Sequence, residues 1–182
     1  SDIIYLNQGW TQDQRSEYYW LSQGSSLLSY DIYLALEAKS GGLFNSPEMA
    51  DKVGLLMDPP NAKYNPDNFP IGVAKADIKS GQFKGQYVGL TCAACHTGQI
   101  QYKNKQIRID GANAMRFDLT AWMGALSESL EIPLTNESKF KELAKRIQTR
   151  GSVDEEDLRR RLKTDATFVK LQLTNSFVHQ NL

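Results

Sequence analysis

The residues best suited to chemistry lie together in one short segment. Both cysteines of the 182-residue chain fall within Cys92-Ala93-Ala94-Cys95-His96. Residues three and four positions apart share one face of a helical turn, so the two thiols and the imidazole can converge on a single group. A Cys-x-x-Cys-His pattern is the attachment signal of c-type haem. The pattern therefore predicts one covalently attached haem c, with Cys92 and Cys95 as the thioether sites and His96 as the iron ligand.

Two other chemistries also use closely spaced cysteines. A redox-active Cys-x-x-Cys pair needs no histidine after it, and it usually lies just after a strand of a βαβ unit. A zinc site needs four protein ligands, and His96 and His179 are the two histidines of the chain. A metal-binding or structural module built on Cys92 and Cys95 is therefore an alternative to haem.

The sequence leaves the sixth iron position open. Met115, Met123 and His179 are candidate ligands, and a methionine ligand would raise the reduction potential and suit electron transfer. An open or water-filled position would instead permit oxygen or peroxide chemistry. Electron transfer and catalysis by a peroxidase-like or dioxygenase-like haem oxidoreductase therefore remain alternative functions. The sequence identifies no catalytic residue.

A haem also needs apolar cover and partners for its propionates. Arg108 and Arg116 are candidates for the propionates, although either could be an ordinary surface charge. The candidate cover consists of aromatic residues, most of which could equally belong to the core: Tyr18, Tyr19, Trp20, Tyr33, Phe44, Phe69, Tyr87, Phe117 and Trp122.

The elements that position these residues are mostly helices by their apolar spacing. A single hairpin is expected over residues 98–111, turning at 103–105. Four prolines between Pro59 and Pro70 exclude regular structure there and predict a long loop over residues 57–85, with a short extended stretch at 86–90. Helices are predicted over residues 13–23, 27–39, 46–56, 116–130, 136–147 and 152–172. We therefore expect a mainly α, cytochrome c-like haem domain with long irregular loops and a small β-hairpin.

The charge balance and the apolar content of the chain argue against two classes of protein. The 21 basic and 21 acidic residues cancel, which argues against nucleic-acid binding, and no apolar run is long enough for a membrane span. We expect one domain over residues 1–182, with a helical extension over residues 131–182. The chain starts at Ser1 without a leader-like segment, so we expect either that a leader was removed or that the chain begins within a longer protein.

The residues flanking the pentapeptide suggest a family. The segments 88–100 and 107–111 resemble the haem region of rubber-oxygenase-like di-haem cytochromes, which are related to bacterial di-haem cytochrome c peroxidases. Residues 23–26, 29–31 and 69–73 are similar to the same family, and the resemblance covers about residues 10–120. It implies a periplasmic, mainly α protein whose partner is a redox protein or a small-molecule oxidant. Family members carry two haem motifs and this chain carries one, so it is either an amino-terminal part of a di-haem protein or a mono-haem relative.

Overall fold

The computed structural model describes residues 3–180, with side chains up to residue 175. The helices in this range are α1 (Gln12–Trp20), α2 (Tyr30–Ala35), α3 (Pro47–Val53), α4 (Cys92–Cys95), α5 (Leu119–Thr135), α6 (Glu137–Gln148) and α7 (Glu155–Gln180). The strands are β1 (Ile3–Tyr5), β2 (Leu28–Ser29), β3 (Val73–Ile78), β4 (Gly85–Leu90), β5 (Thr97–Tyr102) and β6 (Lys105–Asp110).

The prediction of a mainly α, cytochrome c-like fold is wrong. Helices hold 44% of the chain and strands 19%, and the strands of residues 3–180 form two three-stranded sheets, so the fold combines α and β structure. The predicted loop over residues 57–85 contains β3 and the start of β4, because regular structure resumes once the prolines end at Pro70. The predicted helix over residues 27–39 is divided into β2 and the six-residue α2. Its apolar residues are buried almost continuously, and such a run does not distinguish a strand from a helix.

One sheet leads directly into the cysteine segment. Its strand order is β2-β4-β3, and all pairs are antiparallel, with Val73 opposite Leu90 at the end of β4. Because β4 ends at Leu90, the next residues leave the sheet at the edge of the core and form α4.

The other sheet receives the chain immediately after the cysteine segment. β5 begins at Thr97 and pairs antiparallel with β6, as the predicted hairpin requires, and β1 adds to β6 in parallel. Lys103 and Asn104 both have positive φ, 46° and 63°, as a two-residue type I′ turn demands. The Cys92–His96 turn therefore connects the two sheets, and each sheet fixes one of its ends.

The helices after residue 116 close the hydrophobic core. Trp122 and Leu130 of α5, Phe140 of α6 and Leu162 of α7 are each at most 1% exposed and belong to the same cluster as the residues under the sheets. The structure contains α5, α6 and α7 where helices are predicted over residues 116–130, 136–147 and 152–172, although their ends are shifted. Residues 131–175 pack into this shared core. Among the described residues, no helix combines the length and the apolar character needed to cross a membrane.

Candidate functional site

The Cys92–His96 turn presents its reactive side chains outward and its alanines inward. Cys92, Cys95 and His96 are exposed, whereas Ala93 and Ala94 are 1% and 4% exposed and pack in the core. Thr91 caps the turn, since its hydroxyl accepts a hydrogen bond from the Ala93 N–H. The His96 N–H donates to the Cys92 carbonyl over 2.9 Å, which closes one helical turn. Both thiols and the imidazole thus lie on the outward side of one short turn.

Gly72 allows the turn to lie directly on the sheet. Its φ is +86°, and a Cβ built on it would lie 2.1 Å from the Ala94 nitrogen. The Gly72 carbonyl accepts a hydrogen bond from the Thr91 N–H over 2.8 Å, and its own N–H donates to the Tyr19 carbonyl over 3.1 Å. A side chain at this position would both strain the backbone and push the turn outward.

The main chain of the turn is also held from two other directions. Helix α1 supplies Tyr18, whose hydroxyl donates to the His96 carbonyl over 2.5 Å, and the residues after it supply Gln23, whose side-chain oxygen accepts from the Cys92 N–H over 3.0 Å. The segment after β6 supplies two N–H donors. Gly111 donates to the His96 carbonyl over 2.7 Å, and Ala114 donates to the Cys95 carbonyl over 2.9 Å.

An open groove runs beside the turn. Its volume is about 450 Å³, which is in the range of small-molecule sites, and Tyr18 and Gln23 belong both to its wall and to the contacts with the turn. Trp10 and Leu21 are 39% and 63% exposed, and Trp10 meets the Tyr18 ring edge-on at 5.1 Å. The full wall consists of Gly9, Trp10, Gln14, Glu17, Tyr18, Leu21 and Gln23. Exposed aromatic and apolar surface therefore adjoins the main chain of the Cys92–His96 turn.

A buried carboxylate lies behind the turn. Asp110, 4% exposed, accepts hydrogen bonds from the Tyr19 hydroxyl and from Arg15 Nε over 2.8 Å. Its main chain exchanges two hydrogen bonds with the side chain of Gln8. Burial and the bond to Asp110 raise the pKa of Tyr19, so this hydroxyl stays a donor at all ordinary pH values. Because Gly111 follows Asp110, this network fixes the strand end that binds the His96 carbonyl.

Arg108 does not face the outward side of the turn. Its side chain is 1% exposed, and the guanidinium donates to Asp58 over 3.1 Å, to the Gln99 side chain and to the Met57 carbonyl. These hydrogen bonds and the burial of the side chain hold the guanidinium inside the protein, so Arg108 is not available to a propionate in this conformation. Arg116 is exposed and pairs with Asp51 over 3.0 Å.

The candidate sixth ligands differ in position. Met123 of α5 is 6% exposed and belongs to the core, so its sulfur does not reach the surface on which His96 lies. Met115 is 82% exposed and follows Ala114, whose N–H binds the Cys95 carbonyl. The side chain of His179 lies outside the described residues.

The electrostatics and the surroundings of the turn differ from those of a redox-active cysteine pair or a metal site. Although Cys95 is exposed, partial desolvation by neighbouring atoms and the adjacent Cys92 raise the pKa of its thiol, whereas redox-active Cys-x-x-Cys pairs usually have a lowered thiol pKa. The preceding strand β4 belongs to an antiparallel sheet, so the turn is not part of a βαβ unit. Over the described part of the chain, no three His, Cys, Asp or Glu side chains are grouped as a metal site, and the His96 ring has no hydrogen-bond partner there.

Sequence reasoning singled out Cys92, Cys95 and His96 but missed most of the residues that hold their turn in place. Tyr18 was one of nine aromatic candidates, and most of the others are core residues. Gln23, Gly72 and Asp110 were not singled out, although all three lie in segments that carry the family resemblance. Each of them contacts the Cys92–His96 turn or orients a residue that does.

Comparison with known proteins gives little further information. No family model matches the chain, and no solved structure matches it. It is similar to an uncharacterized protein, y4iJ, of Sinorhizobium fredii (strain NBRC 101917 / NGR234), with 32% identity over 128 residues, or 62% of this chain. The chain spans about a fifth of the length of this curated relative, since the match covers 21% of it.

Proposed function

We propose that this chain binds one haem c through Cys92, Cys95 and His96, and acts in electron transfer, either as a c-type cytochrome or as the haem-bearing part of a larger di-haem redox enzyme. The observation that carries the proposal is the turn itself. Both thiols and the imidazole are exposed on its outer side, while Ala93 and Ala94 are buried beneath it. The residues present therefore fit a flat group attached from outside.

The thiols and the imidazole would bind different parts of the haem. The two thiols would hold the porphyrin by thioether bonds, and the His96 imidazole would bind iron. When bound, haem supplies a one-electron redox centre whose potential depends on its axial ligands and on its exposure. Trp10, Tyr18 and Leu21 supply apolar and aromatic surface beside the turn, which would exclude water from the adjoining part of the site.

We also propose a periplasmic location and a redox protein or small-molecule oxidant as partner. The resemblance of residues 10–120 to exported di-haem cytochromes supports both. The equal numbers of acidic and basic residues support the expectation that nucleic acid is not a partner.

An oxygen- or peroxide-activating haem enzyme is the second candidate. The burial of Met123 supports it, because this residue is 6% exposed and belongs to the core, whereas His96 is exposed. An unoccupied sixth position would leave room for a small oxidant. Whether Met115 or His179 binds the iron therefore distinguishes the two candidate functions.

The first experiment measures attachment. The chain is produced with the haem-attachment machinery, and the intact mass of the wild type is expected to equal that of the polypeptide plus one haem. Cys92→Ala/Cys95→Ala should carry no covalent haem, and His96→Ala should keep the haem with an altered spin state. Met115→Leu, an exposed change beside the turn, is the matched control and should retain the haem. A wild-type mass equal to that of the bare polypeptide, with two free thiols, contradicts the proposal.

Absorption spectra of the loaded protein separate the two candidate functions. Low-spin spectra that change to high-spin in Met115→Leu identify Met115 as the sixth ligand and support electron transfer. High-spin wild-type spectra and ready carbon monoxide binding support the oxidant-activating enzyme. Met123→Leu serves as the control, because a buried core methionine should leave the spectrum unchanged.

A further inference from the structure

Tyr18 is a residue through which helix α1 contacts the imidazole-bearing end of the Cys92–His96 turn. Its hydroxyl donates to the His96 carbonyl over 2.5 Å, although the two residues are 78 positions apart. Its half-buried ring lies in the wall of the groove and meets Trp10 edge-on at 5.1 Å. Tyr18 thus adjoins both the main chain of His96 and the surface beside it.

The His96 carbonyl is bonded twice, which restricts the backbone that carries the imidazole. Gly111 donates over 2.7 Å and Tyr18 over 2.5 Å. Rotation of this carbonyl would disturb both bonds, so ψ of His96 is restrained. The ring itself has no hydrogen-bond partner within the described residues, and its direction therefore depends on the main chain that bears it.

Gln23 has a comparable position at the other end of the turn. Its side-chain oxygen accepts from the Cys92 N–H over 3.0 Å, and it also belongs to the groove wall. Gln23 therefore contacts the thiol end, and Tyr18 the imidazole end, from the same side of the protein. This separation allows the two ends to be tested independently.

We infer that Tyr18 is the positioning residue for His96: its hydroxyl restrains the His96 carbonyl and thereby sets the direction in which the imidazole is offered to the iron. The inference rests on the proposed function. Groups that orient an iron ligand typically change its affinity by about ten- to a hundredfold when removed.

The decisive variant is Tyr18→Phe in the haem-loaded chain. It removes the donor but keeps the ring that meets Trp10. The measurement is an acid titration followed by the Soret band, which reports the pH at which protonation displaces His96 from iron. We expect the midpoint to rise by about one pH unit, equivalent to a tenfold weaker ligand and to the lower end of the effect expected for an orienting group.

Two controls separate positioning from general stability. Tyr102→Phe removes the hydroxyl of a tyrosine that is 57% exposed on β5, and its midpoint should equal that of the wild type. Gln23→Leu removes a contact of similar length at the thiol end, and it should lower attachment yield or thermal stability without moving the midpoint. A purely structural role of Tyr18 would lower Tm and leave the midpoint unchanged.

Each outcome decides the inference. A Tyr18→Phe midpoint equal to that of the wild type overturns it, and so does a Tyr18→Phe chain that is unfolded by circular dichroism, since that result assigns Tyr18 a structural role. A folded Tyr18→Phe chain that no longer retains His96 on iron supports it. Absence of haem on the wild-type chain overturns the proposed function and this inference together, whereas haem on the wild type with an unmoved midpoint overturns the inference alone.

Discussion

At the scale of single residues, charged side chains occupy core positions behind the Cys92–His96 turn. Arg108 and Asp110 are separated by one residue of β6 and therefore point to the same face of the strand, and they are 1% and 4% exposed. Arg108 is paired with Asp58, and Asp110 with Arg15 and Tyr19. A buried ion pair adds little net stability, but removal of one partner leaves an uncompensated buried charge. These residues therefore hold β6 in one arrangement.

Arg108→Ala tests this network. The change leaves Asp58, which is 14% exposed at its side chain, without its guanidinium partner. We expect the free energy of unfolding to fall by about 3–5 kcal/mol, as found when one member of a buried pair is removed. Urea denaturation measures the change.

The matched control for that variant is Arg116→Ala. Arg116 pairs with Asp51, but the two side chains are 65% and 76% exposed. An exposed pair contributes about 0–1 kcal/mol, so this variant should resemble the wild type. Equal losses in the two variants would show that burial of Arg108 is unimportant.

At the scale of elements, the turn α4 depends on close approach to the segment that precedes β3. The Gly72 carbonyl binds the Thr91 N–H, and the missing Cβ of Gly72 leaves room for Ala94. The turn is too short to be a stable helix by itself, because a single turn does not repay helix nucleation. Its shape is therefore imposed by the sheets on either side and by this contact.

Gly72→Ala tests the contact, with Gly81→Ala as the control. Both glycines have φ near +86°, but a Cβ at Gly81 would meet nothing within 4 Å, whereas at Gly72 it would lie 2.1 Å from the Ala94 nitrogen. Backbone strain alone should cost about 1–3 kcal/mol in each variant. Gly72→Ala should lose more stability than Gly81→Ala by urea denaturation, and it should also carry less attached haem. Equal losses, with equal haem content, would show that the approach to Ala94 does not matter.

At the scale of the whole molecule, α7 ties the carboxyl-terminal part of the chain to the sheet that leads into the turn. Asp165 of α7 is 7% exposed, and its carboxylate accepts a hydrogen bond from the Ser29 N–H of β2 over 2.9 Å. Burial raises the pKa of Asp165 to about 6, against an opposite effect from Ser29 and Arg161. Ionisation of this carboxyl group therefore destabilises the folded state.

The consequence is a stability that falls as the pH rises through a defined window. Between pH 4 and pH 6 the folded chain keeps a proton at Asp165 that the unfolded chain has released, so the contribution of Asp165 to the free energy of unfolding decreases with pH there. The loss is about 3 kcal/mol, since one pKa unit corresponds to about 1.4 kcal/mol. Asp165→Asn keeps an acceptor for Ser29 and should remove this slope in urea denaturation at a series of pH values.

Asp157→Asn is the control for the pH dependence. Hydrogen bonds from Arg161 and Arg160 lower the pKa of Asp157, so its titration lies below the window. This variant should keep the wild-type slope between pH 4.5 and pH 6. A wild-type slope in Asp165→Asn would assign the dependence to another group.

Local sequence determined the features that depend only on near neighbours. The Thr91 cap, the start of α3 at Ser46-Pro47 and the β5–β6 hairpin follow from hydrogen bonds between residues a few positions apart. The same reasoning located α5 and α6 within a few residues. Identity and spacing of residues suffice there, because the partners of each bond are already adjacent in the chain.

Only the tertiary structure determined how the strands pair and which residues surround the Cys92–His96 turn. β1 pairs with β6, about a hundred residues later, and Tyr18 reaches His96 across 78 positions. Arg108 looked like a surface charge because its partners Asp58 and Gln99 come from other segments. Such contacts depend on which surfaces meet when the whole chain collapses, and no pattern within a short window contains that information.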